Sequence, residues 1–276
     1  MSGQLIVVGT PIGNLGDMSP RAVEALKNCD FIAAEDTRVT LRLLNHFGIK
    51  KPLVSYYEHN RREKGEYILS RILGGETCVL VSDAGMPAIS DPGEELVAGC
   101  AEADVPVTAV PGPTAVITGL ALSGLPTGRF TFEGFLSTNK RVRREHLESL
   151  KNETRTMIFY EAPHKLLATL DDFCEAFGNR RVSFARELTK LHEEMIRTTL
   201  SEARERFRET PPRGEFVIIL AGAEPATARE YTAEEAEELA RSYLEEGMSA
   251  SEAAKRAAKE SGRKKGEIYA SLVREK

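Results

Sequence analysis

The chain has 276 residues, 41% hydrophobic and 29% charged with both signs well mixed, which excludes a single small motif, a disordered chain and a fibrous one. Its 42 acidic against 37 basic residues give a net charge of −5, which argues against a protein that coats nucleic acid non-specifically. A local basic patch can still hide inside an acidic total.

Residues 105–128 carry no charge, enough to raise the question of a membrane span of roughly 20 residues. Pro106, Pro111, Pro113 and Pro126, with Gly112, Gly119, Gly124 and Gly128, answer it: the stretch reads as strand, turn, short helix and turn inside a buried core. No basic residue precedes the first apolar run, so no secretory signal is expected and the protein is placed in the cytoplasm, with no membrane partner. Cys29, Cys78, Cys100 and Cys174 never form C-x-x-C and read as buried, reduced thiols; no metal is called for.

Short β-branched runs alternate with amphipathic stretches from the start to about residue 222, the pattern of β-α-β units and a mostly parallel sheet, so the class is α/β. Strand 5–8 enters a glycine-bearing turn, and Ser19-Pro20 is good N-cap and first-turn chemistry for a helix reaching residue 28. Strand 31–34, a helix at 39–47 stopped by Gly48, and strands 53–56, 79–81 and 107–110 complete a first unit. The pattern restarts after 123–128 with strands 130–135, 157–160, 182–185, 195–199 and 216–220 and helices at 141–150, 164–177 and 201–208. Residues 222–229 read as a linker, and the remainder from Thr232 as three short helices. The expected organisation is an α/β domain over 1–122, a second over 123–222 and a helical appendage over 231–276.

Ligands of open α/β sheets bind outside the carboxyl ends of the strands. Here those ends are polar or glycine-bearing: 9–17, 35–38, 82–93, 111–114, 161–164 and 185–187. Each alone is commonly just a turn; repeated in kind at several strand ends, they suggest a cleft. The first loop approximates a dinucleotide fingerprint, but G-x-x-x-G-x-x-G has the wrong spacing and Pro11 obstructs close helix entry. A phosphate loop and a G-x-S-x-G elbow are absent from the sequence, and His192-Glu193-Glu194 lacks the second histidine of a zinc protease. Asp91-Pro92 reads as an N-cap for a helix at 92–103, His164 as a first-turn residue, and His46 and His59 as surface residues.

Two basic clusters stand against the acidic average. Lys140, Arg141, Arg143 and Arg144 follow the strand that ends near Phe135, and residues 255–276 hold eight bases against three acids after a stretch, 230–246, with seven acids against one base. Ser249 to Gly262 and the segment from Lys264 outline a helix-turn-helix whose last helix is basic, with Arg263, Lys264 and Lys265 at its start. A solvated charged face is the bland alternative; nucleic acid is the sharper one.

Together, Gly9-Thr10-Pro11-Ile12-Gly13-Asn14-Leu15-Gly16-Asp17, Ala34-Glu35-Asp36-Thr37-Arg38, Ser82-Asp83-Ala84-Gly85-Met86-Pro87, Ser123-Gly124-Leu125-Pro126-Thr127, Tyr160-Glu161-Ala162-Pro163-His164 and Ala185-Arg186-Glu187-Leu188-Thr189-Lys190 resemble the 16S rRNA 2′-O-methyltransferases of the tetrapyrrole methylase superfamily. The resemblance implies two α/β domains with S-adenosylmethionine in the cleft between them, a homodimer, and a cytidine of 16S rRNA in the small ribosomal subunit as the substrate. By position it implies cofactor contacts at Pro11, Gly13, Asp83, Ala84, Gly85, Ile89, Pro111, Thr114, Ala115, Glu161 and Ala185. Strand-end position and resemblance together make Glu35 and Asp36 candidates for the base that activates a ribose hydroxyl, with Arg38, Arg186 and Lys190 as electrostatic partners. The two basic clusters become candidate RNA contacts. The runners-up are a small-molecule methylase and a non-catalytic nucleic-acid-binding protein.

Overall fold

The computed structural model describes residues 3–224 and 231–274. The chain divides into two compact units, Met1–Gly222 and Ala223–Lys276. The expected linker at 222–229 lies mostly outside the described residues.

In the first unit, β1 (Gln4–Val8), β2 (Phe31–Ala34), β3 (Leu53–Ser55), β4 (Thr77–Val81) and β5 (Val107–Val110) form one sheet in the order β3-β2-β4-β1-β5. All its pairings are parallel. Helices cover both faces, which is why every residue of β2 is buried and the strand reads as a continuous apolar run. The helices are α1 (Pro20–Asn28), α2 (Thr37–His46), α3 (Arg61–Leu73) and α4 (Glu94–Glu102). Ser19 caps α1 by accepting the Ala22 N–H, as its sequence predicts. Helix α3 has no counterpart in the sequence reading: it carries Gly65 and buries only Ile68 and Ile72, so its apolar stripe is thin.

The second sheet has the order β6-β7-β10-β8-β9, built from β6 (Phe130–Phe135), β7 (Thr156–Glu161), β8 (Arg181–Arg186), β9 (Glu194–Thr199) and β10 (Phe216–Leu220). Only β6 and β7 run parallel; the other pairings are antiparallel. This corrects the expectation of a mostly parallel sheet in the second half. Strands β8 and β9 are joined by residues 187–193 with no helix between them, and so short a connection can only turn the chain back on itself. The remaining helices of this half are α6 (Lys140–Ser149), α7 (Leu166–Phe177) and α8 (Leu200–Glu209).

One helix couples the two sheets. Helix α5 (Ala115–Ser123) follows β5 of the first sheet, yet Val116 and Leu120 pack with Ile158, Ala185, Val217 and Ile219 of the second, and Ile12 of the first loop joins the same cluster. The expected division at 122/123 therefore falls at the end of a helix that belongs to both halves.

Among its described residues, the second unit holds three helices, α9 (Ala233–Glu245), α10 (Ala250–Ser261) and α11 (Lys265–Arg274). Thr232 with Glu235 and Ser249 with Glu252 form capping boxes, and Gly262 ends α10 in the left-handed conformation. Small residues, Ala236, Ala240, Ala253, Ala254 and Ala257, let the helices approach around Tyr243 and Ile268. Among the described residues, no helix is long and apolar enough to cross a membrane.

Candidate active site

Strands β1, β4 and β5 are neighbours, so their carboxyl-end loops meet. Gly9 and Gly112 lie backbone to backbone: a Cβ on Gly9 would come within 2.7 Å of Gly112 Cα. Thr10 and Gly85 exchange backbone hydrogen bonds of 2.9 and 3.1 Å. The loops are thus fixed to one another before any ligand arrives.

Between them and the second sheet opens a cavity of about 740 Å³, lined from both sheets. One wall has Ile12, Ala84, Gly85, Met86 and Ile89, with Asp91; the helix side has Thr114, Ala115, Val116 and Ile117. The opposite wall has Phe130, Phe132, Phe135 and Tyr160, then Glu161, Ala185, Leu188 and Lys190. The volume is that of a small-molecule site. Of the expected cofactor contacts, Ala84, Gly85, Ile89, Thr114, Ala115, Glu161 and Ala185 line this cavity. Pro11, Gly13 and Asp83 instead line a smaller one of about 260 Å³ with Val39, Thr40 and Arg42, and Pro111 lines neither.

Glu161 is buried, and its carboxylate accepts the Ala162 N–H at 2.9 Å and the Thr169 hydroxyl. Thr169 in turn accepts from Arg143 Nη2 at 2.9 Å, and Arg143 also pairs with Asp172. Arg143, a candidate RNA contact by sequence, is turned inward instead: its side chain is 14% exposed and ties α6 to α7 behind Glu161. Arg141 pairs with Glu145 at 2.8 Å, and Lys140 and Arg144 are exposed on the same helix.

The catalytic candidates divide. Glu35, Asp36 and Asp83 interlock: Asp36 N–H donates to Asp83 Oδ1 at 3.0 Å, and Asp83 N–H donates to Glu35 Oε2 at 3.4 Å. Asp36 caps α2 by accepting the Arg38 N–H at 2.8 Å and grips the guanidinium through Nη2 at 2.6 Å. That pairing holds its carboxyl down at about 2, so Asp36 is a poor proton acceptor near neutrality. Glu35 shifts the other way, raised first by burial and then by the charges of Asp91 and Asp83. Lys190 bonds Glu187 at 3.0 Å and Glu215 at 2.9 Å at the cavity wall. Arg186 is turned toward Glu194 at 3.0 Å and lines neither cavity.

Asp91 is a correction. Helix α4 begins at Glu94 with Gly93 as its cap residue, so Asp91 caps nothing; it lines the cavity, and burial raises its carboxyl. The acid-proline pair read as helix chemistry because nothing in the sequence shows that the chain turns once more at 88–93. The aromatic wall was also missed. His164 is an exposed turn residue ahead of α7, and all four cysteines are free thiols. Among the described residues, no group of three or more His, Cys, Asp or Glu is placed to hold a metal ion.

In the second unit, Arg263 Nε donates to the Tyr231 carbonyl at 3.0 Å, Lys265 Nζ to Ser251 Oγ at 3.1 Å, and Lys264 lies 3.9 Å from Glu267. All three side chains are at the surface.

Residues 4–204 match the family model described as Tetrapyrrole (Corrin/Porphyrin) Methylases. A protein of Synechocystis sp. named ribosomal RNA small subunit methyltransferase I is 49% identical over 268 residues, 97% of this chain and 96% of that one. One of the same name from Thermotoga maritima is 49% identical over its whole length, which accounts for 80% of this chain. Among solved structures, uroporphyrin-III C-methyltransferase from Thermus thermophilus, complexed with S-adenosylhomocysteine, superposes with a TM-score of 0.55 at 20% identity, over 79% of this chain and 97% of that one. The fold, the converging strand-end loops and these matches agree: the chain belongs to the tetrapyrrole methylase family and, within it, to the ribosomal RNA small subunit methyltransferase I proteins.

Proposed function

We infer that this protein transfers a methyl group from S-adenosylmethionine to the ribose 2′-oxygen of a cytidine in 16S rRNA of the small ribosomal subunit, working in the cytoplasm as a homodimer. The observation that carries the reading is the match, along nearly the whole chain, to relatives named ribosomal RNA small subunit methyltransferase I, together with the cavity at the strand ends. The residues present fit the cofactor. Apolar walls from Ile12, Met86 and Ile89 suit its adenine and aliphatic parts, while Thr114, Asp91 and Glu161 offer polar groups for its hydroxyls and amino group. Bound there, the cofactor supplies an electrophilic methyl group on a sulfonium.

The chain's own part is to position the ribose hydroxyl and take its proton. A hydroxyl must be held in line with the bond that breaks, so positioning carries much of the acceleration. Neither Glu35 nor Asp36 lines the cavity; of the two, Glu35 is the better candidate base, because a raised carboxyl holds a proton more readily than one held at about 2. Asp36 then serves to fix Arg38 and the start of α2, and Lys190 brings an ammonium group to the cavity wall, where Glu187 and Glu215 pair with it. Exposed Lys140, Arg141 and Arg144, with Arg263, Lys264 and Lys265, supply phosphate contacts.

Tritiated methyl transfer from S-adenosylmethionine tests the reading with three acceptors: unmodified small subunits, free 16S rRNA and a tetrapyrrole. Label in the RNA of the subunit is expected. Label in the tetrapyrrole alone would replace this reading with a small-molecule methylase.

A further inference from the structure

We propose that Phe135 is the platform on which the base of the target nucleotide stacks when its ribose enters the cavity. The inference rests on the reading of the protein as an RNA methyltransferase and adds the residue that seats the nucleotide.

In a regular strand, residues 132 and 135 point to opposite faces. Here the register of β6 against β7 jumps: Phe132 pairs with Ile158, Gly134 with Phe159 and Phe135 with Tyr160, leaving Glu133 as the extra residue. The bulge returns Phe135 to the face of Phe132, and both rings pack on Tyr160, with centroids 5.1 and 5.4 Å away. Glu133 takes the other direction and meets His146 at 2.9 Å. Gly134 makes this possible with φ +64°, and since nothing lies within 4 Å of where its Cβ would be, the backbone conformation and not space calls for glycine.

Phe135 is left 61% exposed while lining the cavity. It is a large ring that packs at a tilt against a second ring and is otherwise mostly exposed. The next element begins with Lys140, and Lys140 and Arg144, one helical turn apart, are both exposed. A flat apolar face, followed within ten residues of the chain by exposed positive charge, offers groups for the two parts of a nucleotide, base and phosphate. Proteins that read RNA sequence take hold of unstacked bases, and an aromatic side chain then replaces the lost stacking neighbour.

Phe135→Ala and Phe135→Trp in the full chain test this. The exposed position makes both substitutions compatible with folding, which the melting temperature checks. Methyl transfer to small subunits is measured alongside the fluorescence of an RNA carrying a stacking-sensitive cytidine analogue at the methylated position. Phe135→Ala is expected to lower kcat/KM for RNA by about tenfold or more and to abolish quenching of the analogue, with cofactor affinity unchanged; Phe135→Trp is expected to restore both. Unchanged kcat/KM and quenching in Phe135→Ala would overturn the proposal, as would a loss that follows cofactor affinity or dissociation of the dimer. If the unmutated protein moves no methyl group to RNA, this inference falls with the function it rests on.

Discussion

Asp36 and Arg38 hold each other: one carboxylate accepts both the backbone N–H of Arg38, at 2.8 Å, and its guanidinium, at 2.6 Å. A group so engaged is a brace, and the acid beside it has the property a base needs. Glu35→Gln is expected to slow methyl transfer about 100-fold or more, the usual scale for a general base, while Asp36→Asn, which keeps the cap, costs much less. Single-turnover rates decide. Equal losses in the two variants would return Asp36 to the mechanism.

The pH dependence follows from the same pair. Glu35 is raised above its usual value, so its base form is lost as pH falls through that raised value, and the rate is expected to drop there. Glu35→Gln should remove this limb. Asp36 works the opposite way on stability: its folded value, about 2, lies below the usual 3.8, so its contribution is present above 3.8 and is lost as pH falls toward 2. Acid unfolding of Asp36→Asn against the unmutated chain reads that difference.

Gly112→Ala tests whether the strand-end loops must touch. The added Cβ would meet the Gly9 carbonyl oxygen at 2.7 Å and its Cα at 2.8 Å, both backbone atoms that cannot swing aside. A loss of about 1–3 kcal/mol is expected, as for other overpacked sites, together with weaker cofactor binding. Thermal unfolding and calorimetry measure the two effects, and an unchanged melting temperature would show that the loops tolerate separation.

Much of this was legible in the sequence, and the failures have physical causes. The polar ends of β1, β2, β4 and β7 stood out because strands buried on both faces are apolar until they stop. The three C-terminal helices were announced by Thr232, Ser249 and Gly262, whose capping chemistry is local. The antiparallel return of β9 is carried by the short connection before it and not by its own residues, so a strand-by-strand reading passes over it. A single extra residue in β6 likewise leaves no mark on composition, and the aromatic wall it builds stayed hidden. Asp91 looked like a cap because Asp-Pro is good cap chemistry wherever the chain then folds.

Removal of residues 223–276 is expected to leave a folded, cofactor-binding core, since the Met1–Gly222 unit holds both sheets and a full-length relative accounts for 80% of this chain. Circular dichroism and cofactor calorimetry check it. Loss of folding would mean that the helical unit is part of the core's stability.

Neutralising Arg263, Lys264 and Lys265 in the full chain is expected to weaken RNA binding and to lower the slope of log affinity against log salt by roughly two units. Three charges are removed, but Arg263 and Lys265 are engaged with the Tyr231 carbonyl and Ser251 Oγ and should each count for less. An unchanged slope would make this block a solvated face and leave recognition to Lys140, Arg141 and Arg144.

The most direct test is the identity of the modified nucleoside. Small subunits from a source lacking the modification are incubated with the protein and S-adenosylmethionine, and the 16S rRNA is digested to nucleosides and analysed by mass spectrometry. One new nucleoside, 2′-O-methylcytidine, is expected. A cytidine methylated on its base, or no methylated nucleoside at all, would contradict the assignment.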